Sequence, residues 1–136
     1  MKKMLAYTPV LAGAFLFVLM MMATPTRSAE QKIMVARMWH GRTPQTKAAE
    51  YATYLYDQGV KKIRAIPGNQ GAQVFRRNDN GVTDFIVISY WNSREDIKKF
   101  AGEDIEKTHN LPRDQEFLLE MEPKVKHYDL IVNEWQ

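Results

Sequence analysis

The chain has 136 residues, no cysteine and a formal net charge of +3. That length is one domain's worth, and the missing cysteines exclude disulfides, thiolate catalysis and thiolate metal sites. Three of the nineteen basic residues (Lys2, Lys3, Arg27) and none of the sixteen acidic ones fall in the first 28 residues, so the remainder is balanced at sixteen against sixteen. No basic stripe survives, which argues against a nucleic-acid partner.

The N-terminal segment reads as an export leader. Lys2 and Lys3 precede an almost unbroken apolar run from Met4 to Ala23, and the small, polar exit Thr24–Ala29 follows. The best cut lies after Ser28, with Thr26 third before the bond. An uncleaved membrane anchor is the alternative, because the run is about long enough to span a bilayer. Pro9, Pro25 and the small-residue exit suit a cleaved leader better. The prediction is a signal peptide over 1–28 and a domain over 29–136, exported to the periplasm or medium and free of the membrane after cleavage. A domain of this size buries only a modest core, and a subunit interface would help it.

Gln31–His40 reads as a first strand, with Ile33, Val35, Arg37 and Trp39 on one face and Met34, Ala36, Met38 and His40 on the other. Both faces are largely apolar, so both are expected to be covered. Gly41–Pro44 reads as a turn that opens a helix running to about Gln58, with Ala48, Tyr51, Ala52 and Leu55 as its buried stripe. Gly59 stands where a left-handed cap is wanted. Val60–Pro67 reads as irregular, and Pro67-Gly68-Asn69 as a loop.

Ala72–Arg77 is the second predicted strand. Asn80-Gly81 is the strongest local signal, a two-residue hairpin turn needing positive φ at both positions. The run Asp84–Ile105 then gives a buried strand, an N-cap at Ser93 answered by Asp96, and a helix with Ile97, Phe100, Ala101 and Ile105 on its apolar face. His109–Pro112 breaks the pattern, Phe117–Leu119 forms a short lid, and Val125–Val132 is a fourth strand. The order β-α-β-β-α-β is the ferredoxin-like, α+β arrangement: a four-stranded antiparallel sheet with strand one beside strand four. Both helices cover one face. The other face is apolar and has no helix left for it, so a sheet-to-sheet homodimer is predicted.

Two imidazoles form the leading polar candidate. His40 ends strand one and His127 begins strand four, so antiparallel pairing is expected to bring them together, with Arg37 nearby. Such a cluster could serve as an acid/base or substrate-anchoring site. The plainer account is two strand-end histidines bonded to backbone. No metal site is predicted. Trp39, Tyr90 and Trp91 are candidates to stack a planar ligand, although aromatic residues at such spacing serve equally as core.

Four stretches resemble the antibiotic-biosynthesis-monooxygenase-like family of dimeric α/β barrels: VARMWHGR, PGNQGAQVFRR, ISYWNSREDIKKFAGEDIE and FLLEMEPKVKHYDL. Family members include cofactor-free oxygenases of polyketide phenols, haem-degrading enzymes and proteins of no known activity. The resemblance implies a dimeric barrel whose cavity is the ligand site. It implies a cofactor-independent monooxygenase of a small aromatic or quinone-like compound, or a non-catalytic binding barrel. Haem binding through His109 is a further alternative. The haem-cleaving relatives combine a strand-one Asn with a Trp and a His from the second helix. Here Phe100 stands at about the Trp position and strand one has no Asn. His109 falls near the His position, one residue out of register.

Overall fold

The computed structural model describes residues 2–9 and 32–135. The predicted cut after Ser28 and most of the apolar run lie outside the described residues. Residues 2–9 are exposed and carry no helix or strand. Among the described residues no helix is long and apolar enough to cross a membrane.

Four strands make one antiparallel sheet: β1 (Met34–Pro44), β2 (Asn69–Asp79), β3 (Val82–Trp91) and β4 (Lys126–Leu130), in the order β2-β3-β1-β4. This is the predicted ferredoxin-like arrangement. Strand β1 starts later than predicted and runs through Gly41–Pro44, which is not a turn. Those four residues pair in register with Val82–Phe85, so β3 carries the strand onward. Gly41 has its own reason to be glycine. A Cβ there would stand 2.3 Å from the Trp39 ring, so the missing side chain is what lets the indole lie flat along the strand.

The hairpin between β2 and β3 is as expected, with Asn80 at φ +48° and Gly81 at φ +81°. Ser93 caps the second helix (Arg94–Ala101), its Oγ accepting from the Asp96 amide at 3.1 Å. That helix stops at Gly102, whose φ of +82° suits glycine. Ile105 therefore lies beyond the helix, though it still packs on the core.

The first helix departs most from expectation. It runs over residues 45–64: a tight turn at Gln45–Lys47, regular turns at Ala48–Tyr54, a widened turn at Leu55–Val60, and a last turn at Lys61–Arg64. Gly59 is not a cap. Its φ is not positive, and a Cβ there would touch Leu111 and Leu55 at 3.4 and 3.5 Å. Val60 and Ile63 are both buried, so packing of the next turn outweighs the glycine's tendency to end a helix. Widened turns of this kind often mark functional positions in helices. This one faces the site described below.

The core has two halves. One joins Tyr51 and Leu55 of the first helix to Phe85, Val87 and Phe117; the other joins Val35, Ile63, Trp91 and Ile97. Phe117 ends a short helix (Asp114–Phe117), and Leu118 continues in extended form where a lid was predicted. Strand alternation sends Val35, Arg37 and Trp39 toward the helices. Met38, His40, Ile86, Ile88 and Tyr90 point to the opposite, open face.

Candidate functional site

A cavity opens at the seam between the two core halves. Its sheet wall is Arg37, Trp39, Val87 and Ser89; its helix wall is Tyr51, Leu55, Gly59, Val60 and Ile63. Phe100, His109, Leu111, Asp114 and Val125 close the remaining side. The widened turn of the first helix supplies three of those wall residues. The space open to the centre of a water-sized sphere is about 50 Å³. One water needs roughly 10–15 Å³ on that measure, so the cavity matches a few waters or a single ring.

Arg37 is the unusual member. It is only 4 % exposed, on the central strand of a small core. Its guanidinium donates to the Ile105 carbonyl, to the Lys107 carbonyl at 3.0 Å and to His127 Nε2 at 3.1 Å. None of these acceptors is anionic. Burial lowers its pKa to about 10, which leaves it charged at neutral pH. The guanidinium carbon also lies 5.8 Å from the centre of the Phe100 ring.

His127 pairs with Arg37 across β1 and β4. Burial first, then the charges of Arg37 and Arg94, hold its pKa below the usual histidine value, against a smaller opposing pull from Glu106. The neutral ring accepts at Nε2 and so carries its proton on Nδ1. It orients the guanidinium from behind.

The predicted meeting of His40 and His127 does not occur. In register, Arg37 opposes His127, and His40 lies three residues further along β1 on the other face of the sheet. His40 sits instead between two carboxylates, Nδ1 2.7 Å from Glu122 and Nε2 2.9 Å from Asp84. Burial pulls its pKa down, but the hydrogen bonds and charges of Asp84 and Glu122 together outweigh that and raise it. It is an ion-paired group on the open face, separated from the cavity by the sheet.

The aromatic candidates divide. Trp39 lines the cavity. Trp91 is fully buried, stacks on Phe100 at 6.3 Å and donates its Nε1 proton to Ser89 Oγ at 2.8 Å, so it backs the wall without forming it. Tyr90 is on the open face, its hydroxyl bonded to Gln73 Oε1 at 2.7 Å. His109 does line the cavity, from a stretch past the second helix, with its ring 4.6 Å from that of Phe100.

Sequence reasoning missed Ser89, Phe100 and Asp114 as wall residues. Ser89 carried a signal: it is a hydroxyl on the inward face of β3, flanked there by the apolar Val87 and Trp91. Asp114 gave none. It is 2 % exposed, and its carboxylate accepts from the Tyr51 hydroxyl at 3.0 Å and the Leu111 amide at 2.7 Å. Burial raises its pKa, with the two hydrogen bonds and His109 pulling the other way.

Comparison with known proteins adds the family. A family model described as antibiotic biosynthesis monooxygenase matches residues 34–109. No curated protein sequence matches the chain. Among solved structures, a proposed antibiotic biosynthesis monooxygenase from Bacillus cereus superposes with a TM-score of 0.53 at 13 % identity, covering 76 % of this chain and 99 % of the other. A second such protein, from Nitrosomonas europaea, gives 0.52 at 16 % identity, covering 74 % and 91 %. A protein of unknown function from the same organism gives 0.52 at 10 % identity, covering 77 % and 96 %. At these identities the likeness is one of fold.

Proposed function

The chain belongs to the antibiotic biosynthesis monooxygenase family, and from that premise we propose that it oxidises a small aromatic or quinone-like compound with dioxygen and no resident cofactor. One observation carries the reading: a small, largely apolar cavity with a buried cation in its wall. A phenol supplies the electrons itself. Loss of its hydroxyl proton gives a phenolate, which passes electrons to dioxygen; one oxygen atom enters the ring to give a quinone and the other leaves as water. Arg37 would stabilise the oxyanion, and the dry wall would protect the reactive intermediate. Arg37 and Trp39 contact the ligand in this reading. His127 positions Arg37, and His109 borders the opening. His40, on the far face, has no part in it.

The cavity's size favours one ring over a fused polycycle. It also argues against haem at this site: Phe100 packs on the His109 ring and the open space is far below that of a macrocycle. The test is oxygen uptake by the purified chain over a panel of phenols and hydroquinones. Uptake above the uncatalysed rate with a single-ring substrate is expected. Silence across the panel overturns the oxygenase reading and leaves a binding barrel.

The reading includes export after cleavage at Ser28 and a homodimer formed across the open face. Phe75 and Tyr128 on that face are 48 % and 49 % exposed in the single chain. Ile86, Ile88, Met38 and Leu130 extend the apolar area between them. Native mass spectrometry of exported material is expected to give two chains, each starting at Ala29. Tyr128→Glu changes an already half-exposed side chain, so it should leave the fold intact and weaken the dimer by about 30-fold or more, the loss typical of a central interface residue. A monomeric wild type would remove the dimer from this account.

A further inference from the structure

We propose that the Arg37–Ser89 corner of the cavity is a preformed anion site, and that the ligand is a single aromatic ring bearing a delocalised anionic oxygen group. This rests on the ligand-pocket reading above and adds the charge of the ligand and the residues that select it.

A buried charge normally has a buried partner, because an isolated one costs several kcal/mol in effective desolvation. Arg37 has no carboxylate within ion-pair distance among the described residues, and burial is the sole cause of its lowered pKa. A guanidinium has five N–H donors. Three are taken by Ile105, Lys107 and His127, all neutral acceptors, which leaves two without a partner among the described residues.

Ser89 stands directly opposite Arg37 on β3 and is 2 % exposed. Its oxygen accepts from Trp91 Nε1. The serine's own proton has no acceptor among the described hydrogen bonds. Both side chains line the cavity. The sheet therefore sets two donors side by side on one wall, with no acceptor between them. A planar oxyanion fits the guanidinium fork by shape and charge, and Trp39 and Phe100 flank it with ring surface.

Asp114 is the one carboxylate among the residues lining the cavity, and it forms no ion pair with Arg37. Its two oxygens accept from the Tyr51 hydroxyl and the Leu111 amide, and burial raises its pKa against the pull of those bonds. His127 is kept neutral behind the arginine.

The anion could be an ionised phenol or an aromatic carboxylate, and calorimetric titration of the wild-type chain with matched pairs separates them. The probes are 4-nitrophenolate against nitrobenzene and benzoate against benzamide. Each favoured anion is expected to bind at least about tenfold tighter than its neutral partner, since a hydrogen bond to a charged group contributes about 1.5–3 kcal/mol. Tighter binding of 4-nitrophenolate than of benzoate identifies a phenol; the reverse identifies a carboxylate. Arg37→Met should erase the preference, with circular dichroism reporting its fold. Should that variant unfold, Ser89→Ala is expected to weaken the anion several-fold and leave the neutral partner unchanged. Equal binding of anion and neutral partner, or no binding of either anion, overturns the site. Anion binding without oxygen uptake would keep this site and remove the oxygenase. Uptake with neutral-selective binding would do the opposite.

Discussion

Trp91→Ala is expected to destabilise the domain by about 3–5 kcal/mol, the usual cost of removing a fully buried large aromatic. A small domain has only about 5–15 kcal/mol to lose, so the variant should sit near the edge of folding. Trp91 is fully buried where Val35, Ile63 and Ile97 meet. It is also the main surface on which the second helix rests, through Ile97 and the stacked Phe100. That helix has eight residues, too few to persist without its packing. Losing the indole therefore loosens Phe100, and with it one wall of the cavity. Thermal denaturation followed by far-ultraviolet circular dichroism should show a midpoint fall of more than about 10 °C, at 4–8 °C per kcal/mol. Trp91→Phe keeps most of the volume and gives up the bond to Ser89, so it should cost far less. A change of under about 1 kcal/mol in Trp91→Ala would mean that the seam is held by other contacts.

The fold was legible because its signals are local. Asn80-Gly81 fixes the hairpin, Ser93 and Asp96 fix a helix start, and alternation fixes the two faces of β1 and β3. The errors came where packing overrode a local preference. Gly59 reads as a stop, yet Val60 and Ile63 have apolar space to fill and the helix continues across it. Gly41 and Pro44 read as a turn, yet β3 offers ten residues of edge and β1 follows it.

The site was less legible, and for a definite reason. A one-residue difference in register moves a side chain through the sheet, and the sequence gives no register for β4. His40 and His127 looked adjacent because both lie near the ends of neighbouring strands. The pairing of Arg37 with His127 puts His40 on the opposite face. Arg37 itself was visible as a charge on the same face as Val35 and Trp39. What the sequence could not show was that no acid among the described residues pairs with it, since that depends on residues about 70 positions away that contribute carbonyls in place of carboxylates.

That missing acid makes Arg37 the position with the largest expected effect on activity. On a phenol that the wild-type chain oxidises, Arg37→Met should lower kcat/KM by about 100- to 1000-fold, the usual loss on removing one preorganised oxyanion donor. Arg37→Lys keeps the charge but not the planar fork, so an intermediate loss is expected. A general loosening of the core would also slow the enzyme, and the dependence on the phenol's acidity separates the two causes. If Arg37 stabilises the phenolate, its loss weighs most on weakly acidic phenols and least on those already ionised in water. If Arg37 only supports the Ile105 and Lys107 carbonyls, all phenols should slow by one common factor. The carbonyls left behind in Arg37→Met would each lack a partner, at about 1–3 kcal/mol apiece, while the cost of a buried charge disappears. The two effects oppose each other, so stability should change little beside the change in rate. A uniform slowing, or a kcat/KM within threefold of wild type, would show that the oxyanion is held elsewhere.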